Sequence, residues 1–362
     1  MPTLRSDRGF AMSEFLIASV ITMAVIGIAV RTFDDALKIN DATLKLTDAG
    51  QNMRSGVNLL VRDLLQAGRD IPTGGIPIPT GIGSALVQRP SPPGTSYAFD
   101  NTTLTTLGAV TTGNTLGSVI NARQTDLITL LMGDPFLPVL DPVEPSNGST
   151  SGPKLAANGS SMSLGSTIPA GSTAELWRNG NLLDGVGAIK TGDLLLFKNS
   201  TGSVMQTVTS VSAGTVNFAA SDPFNLNQRS AENGSITDML GSAMSVRRIL
   251  MITYYVHALA ATPNEPRLMR VLNNFPPQAL AGVVEDLQFT YDLVDETTNP
   301  SNVDSVPFIV AGNTFTSSQI RKVNLKVGVR SEEKTRSTND YMRHYVTTVA
   351  SLRNLAYVAV YK

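Results

Sequence analysis

Residues 8–31 read RGFAMSEFLIASVITMAVIGIAVR. Phe10 to Val30 is 21 residues long, and Glu14 is its only charged member. As a helix rising about 1.5 Å per residue it would cover roughly 30 Å, the thickness of a bilayer's hydrocarbon core. The preceding leader, Met1 to Gly9, carries Arg5 and Arg8 against Asp7. The positive-inside tendency keeps such a leader in the cytoplasm and sends the rest of the chain outward. Arg31 and Lys38 on the far side make that bias small. A cleaved secretory signal needs small residues after the apolar run. GIAVRTFDD offers only a poor site near Ala29. A plain anchor explains the length but gives Glu14 no role. A buried carboxylate costs about 2.5–3.5 kcal/mol at mid-bilayer and less near an end, so an acid here implies a partner.

Beyond the apolar run the helical pattern continues, with no proline before Pro72. Ile39, Leu46, Met53 and Leu60 recur every seven residues, and Ala42, Ala49 and Gly56 fall three positions after the first three. This seam of alternating large and small residues suits close packing against a neighbour. Asp34–Lys38 and Asp41–Lys45 are acid-first pairs four apart, the favourable order on a helix. VNLLVRDLLQAG broadens the stripe through Val57, Leu60, Val61, Leu64 and Leu65, which predicts docking under a globular domain. Gly68 is a natural stop. A helix from Phe10 to Ala67 would be about 87 Å long, and Gly50 and Gly56 are candidate bend points.

From Ile71 to about Pro153 the text is rich in Pro, Gly, Ser, Thr and Asn, which predicts ordered loop and short strands. TDLITLLMGD is the best strand there, and EPSNGSTSGPKLAANGSSMSLGST reads as a flexible insertion. Strand signals strengthen from Ser172. AELWRNG, GDLLLFKNSTGSVMQTVTSVSAGTVNFAA, SVRRILMITYYVHA and PRLMRVLNN read as strands, and VVEDLQFTYDLVD as a short helical turn leading into one. IRKVNLKVGVRS alternates Val323, Leu325, Val327 and Val329 inward against Lys322, Asn324 and Lys326.

The chain has 362 residues and is near neutral, with Lys+Arg 28 against Asp+Glu 29. That balance gives no support to direct nucleic-acid binding. With no cysteine, disulfides, thiolate metal sites and a cysteine nucleophile are excluded. No reading of the residues yields a catalytic, metal or cofactor site. His257 and His344, the only histidines, lack metal-type spacing, and there is no G-x-S-x-G elbow, P-loop or dinucleotide fingerprint. The neighbouring acids Glu285 and Asp286 would point to opposite faces of a strand, and a solvated face is the expectation. Trp177, Tyr254, Tyr255, Phe289 and Tyr291 are expected in the core.

RGFAMSEF resembles the type IV prepilin signal: a short basic leader ending in glycine, then phenylalanine, then glutamate at the fifth mature position. Ala11, Met12 and Ser13 replace the more usual Thr-Leu-Ile, and no proline interrupts the apolar run. Further pieces, LLVRDLLQAGRDIP, KTGDLLLF, LMRVLN, VVEDLQFTYDL, IRKVNLKVGVRS and VTTVASLRNL, occur in the order found in minor pilins of the PilW type and the related J-type pseudopilins of type II secretion. The resemblance covers about the first 70 and the last 120 residues, and residues 71–171 have no counterpart in it.

The resemblance implies an α+β, type IV pilin-like fold, with a long N-terminal helix packed on a β-rich head. It implies a cleaved cytoplasmic leader (1–9), a transmembrane helix (10–30), its amphipathic continuation (31–68), a loop-rich insertion (69–171) and the head (172–362). A prepilin peptidase would cut between Gly9 and Phe10 and methylate the new Phe10 amine. Glu14 would then pair with that amine on a neighbouring subunit during filament assembly. The protein would wait in the bacterial inner membrane, then join an extracellular pilus, helping to initiate it at or near the tip. Its partners would be major and other minor pilins, the peptidase and the assembly platform. A type II secretion pseudopilin, or an anchored adhesin-like binding domain, are the alternative readings.

Overall fold

The computed structural model describes residues 12–100, 103–147, 151–180, 187–295, 297–304 and 308–352. Helix α1, Met12–Gln66, runs unbroken through 55 residues, which is roughly 80 Å at 1.5 Å per residue. Gly68, at φ 83°, follows its end, and the Gly68 amide donates to the Leu131 carbonyl at 2.9 Å. Glycine takes that left-handed conformation without a Cβ penalty, so the chain turns straight from the helix into the head.

The principal elements after α1 are β1 (Val110–Gly113), β2 (Leu127–Gly133), β3 (Leu140–Pro145), α2 (Thr173–Asn179), β4 (Leu194–Lys198), β5 (Ser203–Thr207), β6 (Met244–Ala258), β7 (Pro266–Leu272), β8 (Gln278–Leu293), β9 (Ile320–Lys334) and β10 (Tyr341–Ser351). Strands β1-β2-β6-β7-β8-β9-β10 lie side by side in that order, antiparallel throughout. Strand β6 is long enough to serve two lobes. Its C-terminal half lies between β2 and β7, and its N-terminal half between β3 and the β4–β5 hairpin.

Each lobe has its own core. The first is made by α1 lying on the sheet. Met53, Val57, Leu60, Leu64 and Ala67 meet Leu287, Phe289 and Tyr291 of β8 and Val323, Leu325, Val327 and Val329 of β9. The alternation expected for β9 is therefore the one that docks the helix. Full burial of a side chain such as Leu60 or Leu64 stabilises by about 1.5–3 kcal/mol. A Cβ added at Gly56 would lie 3.0 Å from the Ala281 Cβ, so this small position lets helix and sheet approach closely. The second core surrounds Trp177, which is fully buried with its indole Nε1 donating to the Pro138 carbonyl at 2.8 Å. A third cluster, including Leu131, Leu194, Leu196, Ile249 and Met251, joins the two.

Several expectations are corrected. AELWRN is helical: Ser172 caps α2 by accepting from the Glu175 amide, and Gly180 at φ 71° ends it. Local capping overrides an apolar run too short to have a clear period. VVEDLQFTYDL has no helical turn and lies wholly within β8, which pairs with β7 through its first residues and with β9 from Val284 to Leu293. The stretch read as a flexible insertion contributes Lys154–Leu155 and Ser161–Ser163, which pair with one another and join β3 and Thr215–Asn217. Residues 148–150 lie outside the described part. Helix α1 is continuous through Gly50 and Gly56.

Candidate functional site

Among the described residues, the N-terminal half of α1 has no buried member. Its most apolar 18-residue window is long and apolar enough to cross a membrane, and none of that window is buried. Phe15, Ile21, Val25, Ile28 and Phe33 are all more than half exposed. Two hydroxyls in the run are turned inward on the helix: Ser19 donates to the Leu16 carbonyl at 2.9 Å and Thr22 to the Ala18 carbonyl at 2.7 Å. Their hydrogen bonds need no water, which is the requirement of an apolar surrounding. Glu14 lies exposed in the first described turn, where the helix dipole favours an anion. Gly9 and Phe10, the expected cleavage and methylation positions, lie outside the described residues.

The seam divides where the head begins. Met53, Gly56 and Leu60 are buried against it and Ala49 packs at its border, whereas Ile39 is 69% exposed. Two polar anchors fix the docked half. The inner one is Asp63, buried on the same arc as Leu60 and Leu64. It accepts from the Tyr254 hydroxyl at 2.7 Å and from Arg270 Nε at 2.9 Å, and Arg270 Nε also lies 3.2 Å from the tyrosine oxygen. Burial, then the Asp63 carboxylate, pushes the Tyr254 phenol well above its usual range, so it stays a donor. Burial works against the Arg270 charge, but Asp63 and Tyr254 outweigh it and hold the guanidinium above its ordinary value.

The outer anchor is a clamp between α1 and the turn joining β9 to β10. Lys45 Nζ lies 3.2 Å from Asp41 and donates to the Lys334 carbonyl at 2.7 Å. Asp41 accepts from the Arg336 amide at 3.2 Å. That amide, with help from Lys45, holds the Asp41 carboxyl below the usual carboxylate range. A groove of about 480 Å³ runs between this part of α1 and the β8 and β9 strands, with Leu44, Asn52, Gly282 and Ser331 among its walls.

On the sheet face away from α1, Glu285 and Asp286 do not point to opposite sides. The β8–β9 register slips between Val284 and Asp286, and such a bulge re-aims a side chain. Both acids then reach the hairpin formed by Val119–Ile120 and Arg123–Gln124, Glu285 accepting from Asn121 at 2.9 Å and Asp286 from Arg123 at 3.1 Å. Glu285 also pairs with Arg330 and Arg343, and Asp286 with Lys326. The expected solvated face is instead an ion-pair network with Asp286 buried at its centre.

Of the remaining residues singled out by sequence, Trp177, Tyr254, Tyr255, Phe289 and Tyr291 are buried. His257 packs edge-on to Tyr255, and His344 is exposed on β10. No group of three or more His, Asp or Glu able to hold a metal occurs among the described residues. The sequence reading missed the Asp63 anchor and the Asp41–Arg336 clamp. Asp63 left a signal, an acid at helical spacing within the apolar stripe; the clamp joins positions 295 residues apart and left none. Comparison with known protein families, with curated proteins and with solved structures finds no match.

Proposed function

We propose that this chain is a minor pilin of the PilW type, a type IV pilin-like subunit that helps initiate filament assembly at or near the tip. One observation carries the reading. A single unbroken helix has a docked half fixed to a β-rich head and an apolar half that nothing in the described chain covers, with Glu14 near its start. Such a half-helix needs first a bilayer and then a bundle of like helices. Glu14 pairs in that bundle with the methylated amine of Phe10 on an adjacent subunit, which neutralises both charges in an apolar surrounding. The prepilin peptidase, the assembly platform and the other pilins are the partners this task requires.

Mass spectrometry of the protein recovered from sheared filaments tests the reading. The expected mature chain begins with N-methylated Phe10. A retained leader, or absence of the protein from sheared material, would sink the proposal and favour a permanently anchored binding domain. Glu14→Ala should leave cleavage intact and lower incorporation into filaments at least several-fold. Unchanged incorporation would refute the pairing.

A further inference from the structure

Strand β10 is the last strand of the sheet, and among the described residues it pairs with β9 alone. Its register with β9 is unbroken from Arg343 to Ser351. Beyond it, the Leu352 amide donates to the Arg321 carbonyl at 2.9 Å. Backbone direction alternates along an antiparallel strand, so the even-numbered residues turn their amides and carbonyls toward β9. Those of Arg343, Tyr345, Thr347, Val349 and Ser351 therefore point out of the sheet's edge. The side chains of these five residues share the face away from α1, and all are exposed. Val346 and Ala350, on the other face, pack into the core under the helix.

A bare edge is hazardous, because outward N–H and C=O groups are a template for pairing with other chains. Proline, a bulge or charge blunts such edges in other sheets. From Tyr345 to Ser351 this edge has none of the three. Tyr345 and Val349, each more than half exposed, add an apolar ridge along it.

The sequence supplies a cover. Residues 353–362, RNLAYVAVYK, follow Leu352 and lie outside the described part. Leu355 to Tyr361 contains no charge, proline or glycine and is rich in tyrosine and valine, the composition of a strand. Leu352 is fully buried, so this segment starts from a fixed point at the end of the edge itself. We propose that residues 353–362 fold back as an antiparallel strand on β10 of the same chain and shield its edge from other chains. So short a connection gives the segment a high effective concentration at the edge. Leu352, Arg353 and Asn354 make the turn, a three-residue type whose last position is left-handed, where asparagine is tolerated. That turn sets Val349 opposite Tyr357, Thr347 opposite Ala359 and Tyr345 opposite Tyr361. Cross-strand aromatic and β-branched pairs of this kind stabilise a sheet, and no like charges meet. The proposal does not rest on the filament reading.

The test uses the full chain in detergent. The chain has no cysteine, so a pair introduced as Thr347→Cys and Ala359→Cys reports this contact alone. Opposed Cα atoms that exchange backbone bonds are about 5.5 Å apart, within reach of a disulfide. Mild oxidation should link them within one chain, several-fold faster than Thr347→Cys with Val358→Cys, whose side chains point to opposite faces. Equal rates overturn the proposal. So does a bond formed only between chains, which would assign the strand to a neighbouring copy. Residue-resolved hydrogen exchange gives a second readout. The outward amides of Tyr345, Thr347 and Val349 should be slowed about tenfold or more in the wild type. Ala359→Pro removes a donor to Thr347 and leaves the β9–β10 ladder intact. It should release those amides and make the chain self-associate more strongly than wild type in sedimentation. Free exchange in the wild type, or protection and association unchanged in Ala359→Pro, overturns the proposal.

Discussion

Asp63 sits near the end of α1 on the arc that also carries Leu60 and Leu64, and it is the only acid on that arc to be buried. An isolated carboxylate there would be strongly disfavoured; with Tyr254 and Arg270 it forms a closed triad. Asp63→Ala leaves a guanidinium and a phenol without their acceptor, and removing one partner of a buried pair costs about 3–5 kcal/mol. Asp63→Asn keeps an acceptor and should cost clearly less. Denaturant unfolding of the full chain in detergent checks both, and equal losses for the two variants would show that the charge carries the interaction alone. The acid was visible in the sequence as an odd member of an apolar stripe. Its partners lie 191 and 207 residues away, so nothing local could reveal them. The same holds for Glu285 and Asp286. Their identity was plain, but the slip in register that turns both toward one face belongs to the pairing of β8 with β9.

At the level of the element, α1 is legible almost whole, because a long helix repeats its period many times and so announces it. Its seven-residue seam is real, yet its two halves have different partners. Leu60 is fully buried on the head, so Leu60→Ala should destabilise by about 2–5 kcal/mol. Ile39 is mostly exposed, so Ile39→Ala should change stability by less than about 0.5 kcal/mol. Under the filament reading it should still lower incorporation; unfolding midpoints and recovery in sheared filaments separate these effects. Short elements were less legible. Helix α2 has seven residues, fewer than two turns beyond its cap, and only Ser172, Glu175 and Gly180 betrayed it.

The clamp at the middle of α1 also gives a pH response. The Asp41 carboxyl is held low by the Arg336 amide and Lys45, so its contribution is present above the unfolded value, roughly pH 4, and is lost as pH falls through the lower folded value. Asp340 in the same turn is held low by the Tyr341 amide and Arg343 and loses its contribution in the same direction. Asp126 and Asp193 are raised by burial. Their sign is opposite: ionisation costs stability above the folded value, and protonation relieves that cost as pH falls. Mild acid should therefore loosen the clamp before it unfolds the head. The chain has no cysteine, so a single spin label on Leu44→Cys reports this site alone. Its mobility should rise as pH falls below about 4 while Trp177 fluorescence holds steady, and a label indifferent to pH would contradict the clamp.

For the molecule as a whole, the question is whether the two lobes unfold together. The helix belongs to one core and Trp177, the single tryptophan, to the other. Two features argue for a single transition. Strand β6 passes through both lobes without a break, and its residues Ile249 and Met251 sit in the cluster that joins them. Segment 69–171 adds to the coupling, since it supplies β2 beside the helix-bearing half of β6 and β3 beside the other half. That role was not readable from its composition, because loop-like text conceals strands that are completed only by a distant partner. Trp177 fluorescence and far-ultraviolet circular dichroism should consequently give the same denaturant midpoint. Leu64→Ala, made in the helix core, should lower the Trp177 midpoint as much as it lowers the other, although Leu64 and Trp177 belong to different cores. A Trp177 transition that ignores Leu64→Ala would mean that the far lobe holds its fold while the helix lets go, and α1 could then be exchanged between partners without unfolding the rest.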